Sequence, residues 1–253
     1  MSVDADIAAC AGLVARGDAA RFRAVMAAPV ALRRMLFPLY AFNLEVARAP
    51  WVTREPLIAE MRLQWWRDAL DEIGSGGTVR RHEVVTPLAA ALDAEGARDL
   101  ADLAEARLAD VDGPRFGSRD DVTRYLDRTA GTLLWTASRL AGAEDAPAVR
   151  DAGLAHGIAA WLRAAPDLMA KWRQPLPQGE PERETRALAE TGLAALARFR
   201  QARIPASARP VFLVLSDTAA ELRASARAPG EVPALNPLAS RARLAFRAMT
   251  GRP

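Results

Sequence analysis

Apolar residues recur three and four positions apart along almost the whole chain, the spacing that puts side chains on one face of an α-helix. Asp4 or Asp6 predicts the start of a first helix reaching Val14, and a second is predicted from about Asp18 to Met26. Pro29 suits the first turn of a third, through Leu32, Leu36, Leu39 and Tyr40 to Arg48, with Pro38 placed to kink it. Thr53 is predicted to cap the next, which ends in the Gly74-Ser75-Gly76-Gly77 loop. Shorter helices are predicted at about 85–95 and 97–111. Ser118 and Asp121 form a capping-box pattern for a longer helix through Leu140, closed by Gly142. Another spans Pro147 to Ala170, and the last three cover about 181–203, 207–228 and 237–250. With neither internal repeat nor low-complexity linker, residues 1–253 read as one all-α domain.

Composition strengthens that reading. The chain holds 56 alanines, and β-branched residues are sparse, so sheet architectures are disfavoured. Of the 34 basic residues only Lys171 is lysine; alanine and arginine enrichment is also what a GC-rich genome produces. Net charge is +3, but from Arg198 onward ten arginines face three acids, leaving the first 197 residues at −4. A basic C-terminal third suits an anionic lipid surface, phosphate or an acidic protein; without interleaved aromatics it does not suggest nucleic acid. One cysteine, Cys10, excludes an internal disulfide, and two histidines, His82 and His156, leave little for a zinc site or a Ser-His-Asp triad. With no signal peptide and no apolar run of about 18 residues, the expected location is cytoplasmic, with room for a peripheral place on the inner face of the cytoplasmic membrane.

Four segments carry candidate chemistry. In the stretch 37–48, Asn43, Glu45 and Arg48 follow Tyr40 on an otherwise apolar helix; they either face water or line a site. In 64–68, Gln64, Trp65, Arg67 and Asp68 sit beside Trp66, and Glu60, Gln64, Arg67 and Asp71 form one polar stripe. Paired tryptophans serve as packing anchors more often than as a ligand box. The third segment, 125–132, has Tyr125, Arg128 and Gly131; small residues inside a strong helix need close packing or a ligand to justify them. The fourth, 153–163, carries two glycines one turn apart, Gly153 and Gly157, around His156 and ending at Arg163. Such a helix is approached closely by another helix or by an acyl chain, and His156 is either a satisfied buried histidine or a pocket residue.

In this order the pieces LYAFNLEVAR, RLQWWRDAL, YLDRTAGTL and GxAxGxxxWLR followed by LP resemble the squalene/phytoene synthase family, from about Arg21 to the C-terminus. The resemblance implies a single-domain isoprenoid-synthase (terpenoid synthase-like) fold with a central cavity. In active members, aspartates four residues apart on two facing helices hold Mg²⁺ against a prenyl diphosphate; i and i+4 share a helix face, and hard oxygen ligands suit that ion. Here those positions fall at Ala47 and Trp51, and at Ala164 and Leu168, with Glu45 and Asp167 displaced from them. Arg48, Arg128 and Arg163 can grip phosphate oxygens, but monovalent cations replace divalent ions poorly at a departing pyrophosphate.

The wording YAFNLE and LQWWRDAL is most similar to a divergent branch that includes mitochondrial complex I assembly factors. The resemblance therefore implies a non-catalytic, cofactor-free member that binds an isoprenoid or other lipid, or a complex I subunit. The alternative is a Mg²⁺-dependent prenyltransferase joining farnesyl or geranylgeranyl diphosphate head to head. The final helix alternates Leu244, Phe246 and Met249 with Arg241, Arg243 and Arg247, so it either packs on the domain or lies in an anionic membrane interface.

Overall fold

The computed structural model describes residues 3–53, 55–113, 115–171 and 174–251. Twelve α-helices among these residues are α1 (Val3–Gly17), α2 (Ala19–Ala27), α3 (Val30–Arg48), α4 (Pro56–Gly74), α5 (Val85–Ala91), α6 (Ala94–Ala106), α7 (Arg119–Leu126), α8 (Thr132–Leu140), α9 (Ala146–Ala170), α10 (Pro181–Phe199), α11 (Thr218–Arg227) and α12 (Pro237–Thr250). The all-α expectation holds; the one β-type pairing among the described residues is an isolated parallel bridge between Arg115 and Gln174.

Helix boundaries follow local hydrogen-bonding chemistry. Asp18 accepts from the Arg21 backbone N–H at 2.8 Å and starts α2. Ser118 and Asp121 form the reciprocal capping box of α7. Several expectations need correction. Thr53 does not cap α4: its hydroxyl accepts from the Glu55 N–H, and the helix begins at Pro56. The predicted helices at 85–95 and 97–111 divide earlier, because the Asp93 carboxylate accepts from the Gly96 N–H and restarts the helix there. The predicted 207–228 helix is a 3₁₀ segment, Arg209–Leu215, followed by α11. Pro38 lies within α3, which continues through it.

α3 is buried on nearly all sides from Leu36 to Asn43, as a central helix must be. α9, the longest helix, packs against α10, α11, α7 and α8. The long helix expected from Ser118 to Leu140 is broken by a five-residue π-helical turn, Asp127–Gly131. That turn is where α9 comes closest. A Cβ on Gly153 would sit 2.6 Å from the Gly131 Cα, and one on Gly157 would sit 2.8 Å from the Ala130 Cβ. The Arg150 guanidinium holds the turn from α9 through the Asp127 carboxylate at 3.1 Å.

This contact predicts a sharp difference between two glycine-to-alanine changes. Gly153→Ala forces backbone apart and should cost about 1–3 kcal/mol in urea unfolding. Gly12→Ala, where only the flexible end of Arg16 is near, should be neutral or stabilise by about 0.5–1 kcal/mol.

Candidate functional site

A cavity of about 310 Å³ lies between α3, α9 and the segment around the π turn. Helical periodicity builds its apolar wall. Leu44, Ala47 and Trp51 project from α3 and the 3₁₀ turn after it, and Gly157, Ala160, Trp161, Ala164 and Leu168 form one stripe of α9. Leu126, Thr129, Ala130 and Leu133 close the third side. Thus Ala47, Trp51, Ala164 and Leu168, the four positions singled out by the spacing of the family's aspartates, all line one space.

Two polar clusters interrupt this lining. In the first, Asp18 and Arg21 are ion-paired at 3.6 Å, and Arg21 Nη2 lies 3.4 Å from His156 Nε2. The other imidazole nitrogen is 3.3 Å from the Thr218 hydroxyl. The Arg21 guanidinium also stacks over the Tyr40 ring at 4.8 Å. In the second, Asp110 accepts from the Tyr125 hydroxyl at 2.7 Å, and Arg107 Nη1 donates to that hydroxyl at 2.7 Å and to Asp110 at 3.2 Å. Tyr125 belongs to a ring cluster with Phe116 and Trp161, and the Trp161 indole N–H donates to the Pro175 carbonyl at 2.8 Å.

Burial sets the protonation states. It pushes the His156 imidazole down to about 3, with the adjacent Arg21 charge acting in the same direction. It pushes the Tyr40 phenol up to about 12, and the Tyr125 phenol up as well. Burial opposes the Asp18 carboxylate too, but the Arg21 guanidinium and backbone N–H outweigh it and hold its pKa below the usual range. His156 is therefore neutral at physiological pH, and both cavity-lining carboxylates sit beside a guanidinium.

Beyond the four aspartate-spacing positions, Asn43, His156 and Gly157 are the residues singled out in the sequence that line the cavity. Tyr40, 1% exposed, lies beneath Arg21; Tyr125 hydrogen-bonds the lining pair Arg107–Asp110; Gly131 forms the contact with Gly153. Arg163 pairs with Glu221 in a smaller space of about 40 Å³ that shares Asp18, Arg21 and His156. The others stand apart from the lining. Glu45 is half-buried, and Arg48 and Arg128 are exposed. Gln64, Arg67 and Asp68 form a surface network, Gln64 donating to Asp68 at 2.7 Å, while Trp65 packs on Trp66 and His82. Sequence reasoning passed over Arg21, Arg107 and Asp110. Their signal was there, as acid–base pairs three residues apart at 18/21 and 107/110, but that spacing is what ordinary surface pairs show.

A larger, polar groove of about 1060 Å³ runs between the loops around 112–117 and 174–181. It shares no lining residue with the apolar cavity, so size alone does not make it the site.

The His156 environment predicts a pH dependence. The unfolded imidazole titrates at its ordinary value near 6.5, so between that pH and the folded value the unfolded state binds more protons. Stability should fall by roughly 1–2 kcal/mol from pH 7 to pH 5. A His156→Gln variant should lose that part of the slope, measured by urea unfolding at each pH.

The squalene/phytoene synthase family profile matches residues 14–251. A Drosophila melanogaster NADH dehydrogenase (ubiquinone) complex I, assembly factor 6 homolog is 32% identical over 166 residues, covering 62% of this chain and 50% of that protein. The Bos taurus assembly factor 6 is 26% identical over 172 residues, 62% of this chain and 48% of its own. The matched region thus spans about half the length of these relatives. Among solved structures, a dehydrosqualene synthase in complex with ligand superposes with a TM-score of 0.81 at 14% identity, covering 98% of this chain and 96% of that one. Squalene synthase HpnC from Alicyclobacillus acidocaldarius gives 0.74 at 18% identity, covering 89% and 94%. The fold is the all-α fold of those synthases, and the chain belongs to the squalene/phytoene synthase family.

Proposed function

We propose that this chain is a non-catalytic member of the family, one that uses its cavity or surface to bind a lipid or a protein client and serves the assembly of respiratory complex I. One observation carries the reading. The facing positions that the family's aspartate spacing selects, Ala47 and Trp51 on one side and Ala164 and Leu168 on the other, line the cavity without a carboxylate. The acids that do line it, Asp18 and Asp110, are engaged by Arg21 and by Arg107 with Tyr125. Among the described residues no three His, Cys, Asp or Glu side chains converge as metal ligands. This donor set does not fit a divalent ion bridging to a diphosphate, which needs free oxygens on one face. The likeness to the named assembly factors supports the assembly role.

Deleting the gene in its source organism should lower assembled, active NADH:quinone oxidoreductase, with recovery on complementation. Unchanged assembly would overturn the role. The purified protein, given labelled farnesyl or geranylgeranyl diphosphate and Mg²⁺, should release no pyrophosphate. Release abolished by EDTA would restore the prenyltransferase alternative.

A peripheral membrane site on α12 is part of the same proposal. No described helix is long and apolar enough to cross a membrane. α12 rests on the domain through Leu244 and the Arg243–Asp217 pair, yet none of its residues is fully buried, and Leu238, Phe246 and Met249 stay exposed beside its arginines. Flotation with anionic liposomes should carry the protein at low salt and lose it at high salt; absence from the liposome fraction at both would exclude this site.

A further inference from the structure

From Arg198 onward ten arginines face three acids, and the fold disposes of those acids elsewhere. Asp217 pairs with Arg243 at 2.6 Å, and Glu221 pairs with Arg163. Glu231, in the loop before α12, lines a separate pocket with Leu162 and Met169. Arg200, Arg209 and Arg247 pair with no carboxylate among the described residues. Yet they come together where the end of α10, the 3₁₀ segment Arg209–Leu215 and the last turns of α12 approach one another. The Gly251 N–H donates to the Arg247 carbonyl at 2.9 Å, so these two residues stand one turn apart on one face of α12. A Cβ on Gly251 would sit 3.8 Å from Cδ of Arg209, which sets that side chain against the same face. One edge of Arg209 is anchored, with Nε donating to the Ile204 carbonyl at 3.1 Å. Burial, then the charge of Arg200 at the end of α10, pushes the pKa of Arg247 down, and Asp217, which acts against them, is already paired.

Arg247 is half-buried, while Arg200 and Arg209 are exposed. Its Nη1 is sealed inside the protein without a hydrogen-bond partner, which marks the cost of the arrangement. A half-buried guanidinium that faces like charge, with no carboxylate of its own, works against folding. An anion at the surface between the three side chains would offset that cost. We infer that Arg200, Arg209 and Arg247 form a site for a phosphomonoester dianion, either free phosphate or the headgroup of an anionic lipid. Three unopposed guanidinium groups exceed what one carboxylate neutralises, and their planar forks match phosphate oxygens. The surroundings favour the lipid source. Phe246 and Met249, close to Arg247 on α12, are 54% and 79% exposed, apolar surface for the acyl chains beside a bound headgroup. As a lipid site it rests on the membrane reading of α12 and replaces diffuse attraction with a saturable contact; as a phosphate site it stands apart from that reading.

The test gives the purified full chain two probes at constant ionic strength. One is inorganic phosphate against chloride. The other is phosphatidylcholine vesicles carrying phosphatidic acid or phosphatidylserine, matched in surface potential. Phosphate should raise the melting temperature, and the phosphatidic acid vesicles should bind about tenfold more tightly than the phosphatidylserine ones. Arg247→Gln should remove both responses. Arg209→Gln, at an exposed position, should do the same and keeps the test open if the first variant fails to fold. Arg241→Gln, an equal loss of charge at an exposed position of the same helix, should keep both responses. Equal losses in R241Q and in the site variants, or neither response at all, would overturn the inference. If phosphate stabilises through these arginines but the two vesicles bind alike, the site takes free phosphate and the lipid source falls. If the vesicles bind alike at low salt and phosphate has no effect, the phosphate site falls and the membrane reading of α12 stands. If no vesicle binds, the membrane reading falls and the response to free phosphate decides the site.

Discussion

Everything around the cavity depends on how closely α9 approaches the π turn. Two glycines, Gly131 and Gly153, bring backbone against backbone, and the Arg150–Asp127 pair holds the turn in place. A π turn widens the helix by one residue, which shifts the register of everything that follows. Thr129 and Ala130, both within the turn, form part of the cavity wall, and α8 follows directly from it.

The fold was legible because helix periodicity, capping chemistry and proline placement are local signals. Asp18, Ser118 with Asp121, and Pro29 marked helix starts close to where they stand. The π turn was not legible, since 125–132 carries ordinary helix formers and a glycine, and only the tertiary partner Gly153 gives that glycine its purpose. Thr53 departs from the expected cap for a similar reason: its hydroxyl accepts from the Glu55 N–H two residues on, a local turn that the sequence does not distinguish from a cap.

The site divides in the same way. His156 and Asn43 stood out because they are polar on apolar helices. Glu60, Gln64, Arg67 and Asp71 stand out as a stripe, and in the structure Glu60, Gln64 and Asp71 are exposed and Arg67 half-buried, a largely solvated face. The arginines that matter to the lining, Arg21 and Arg107, looked like unremarkable halves of i,i+3 pairs. Which ion pair faces water and which faces a cavity is decided by the packing of helices distant in sequence. Arg21 meets His156 from 135 residues away.

Lys171, the only lysine, places its ammonium 5.8 Å from the ring of Trp51, at the edge of the cavity where Trp51 is 39% exposed. Because every other basic side chain is a guanidinium, an amine-directed reagent meets one ε-amine on the whole chain, apart from the terminal α-amino group. A fluorophore or crosslinker coupled there reports from the rim of the cavity without any engineered cysteine, and the native thiol, Cys10, is buried with its pKa raised to about 12, so it does not compete. The arginine bias that made the composition look merely genomic thus gives the protein a natural single-site handle beside its most informative tryptophan.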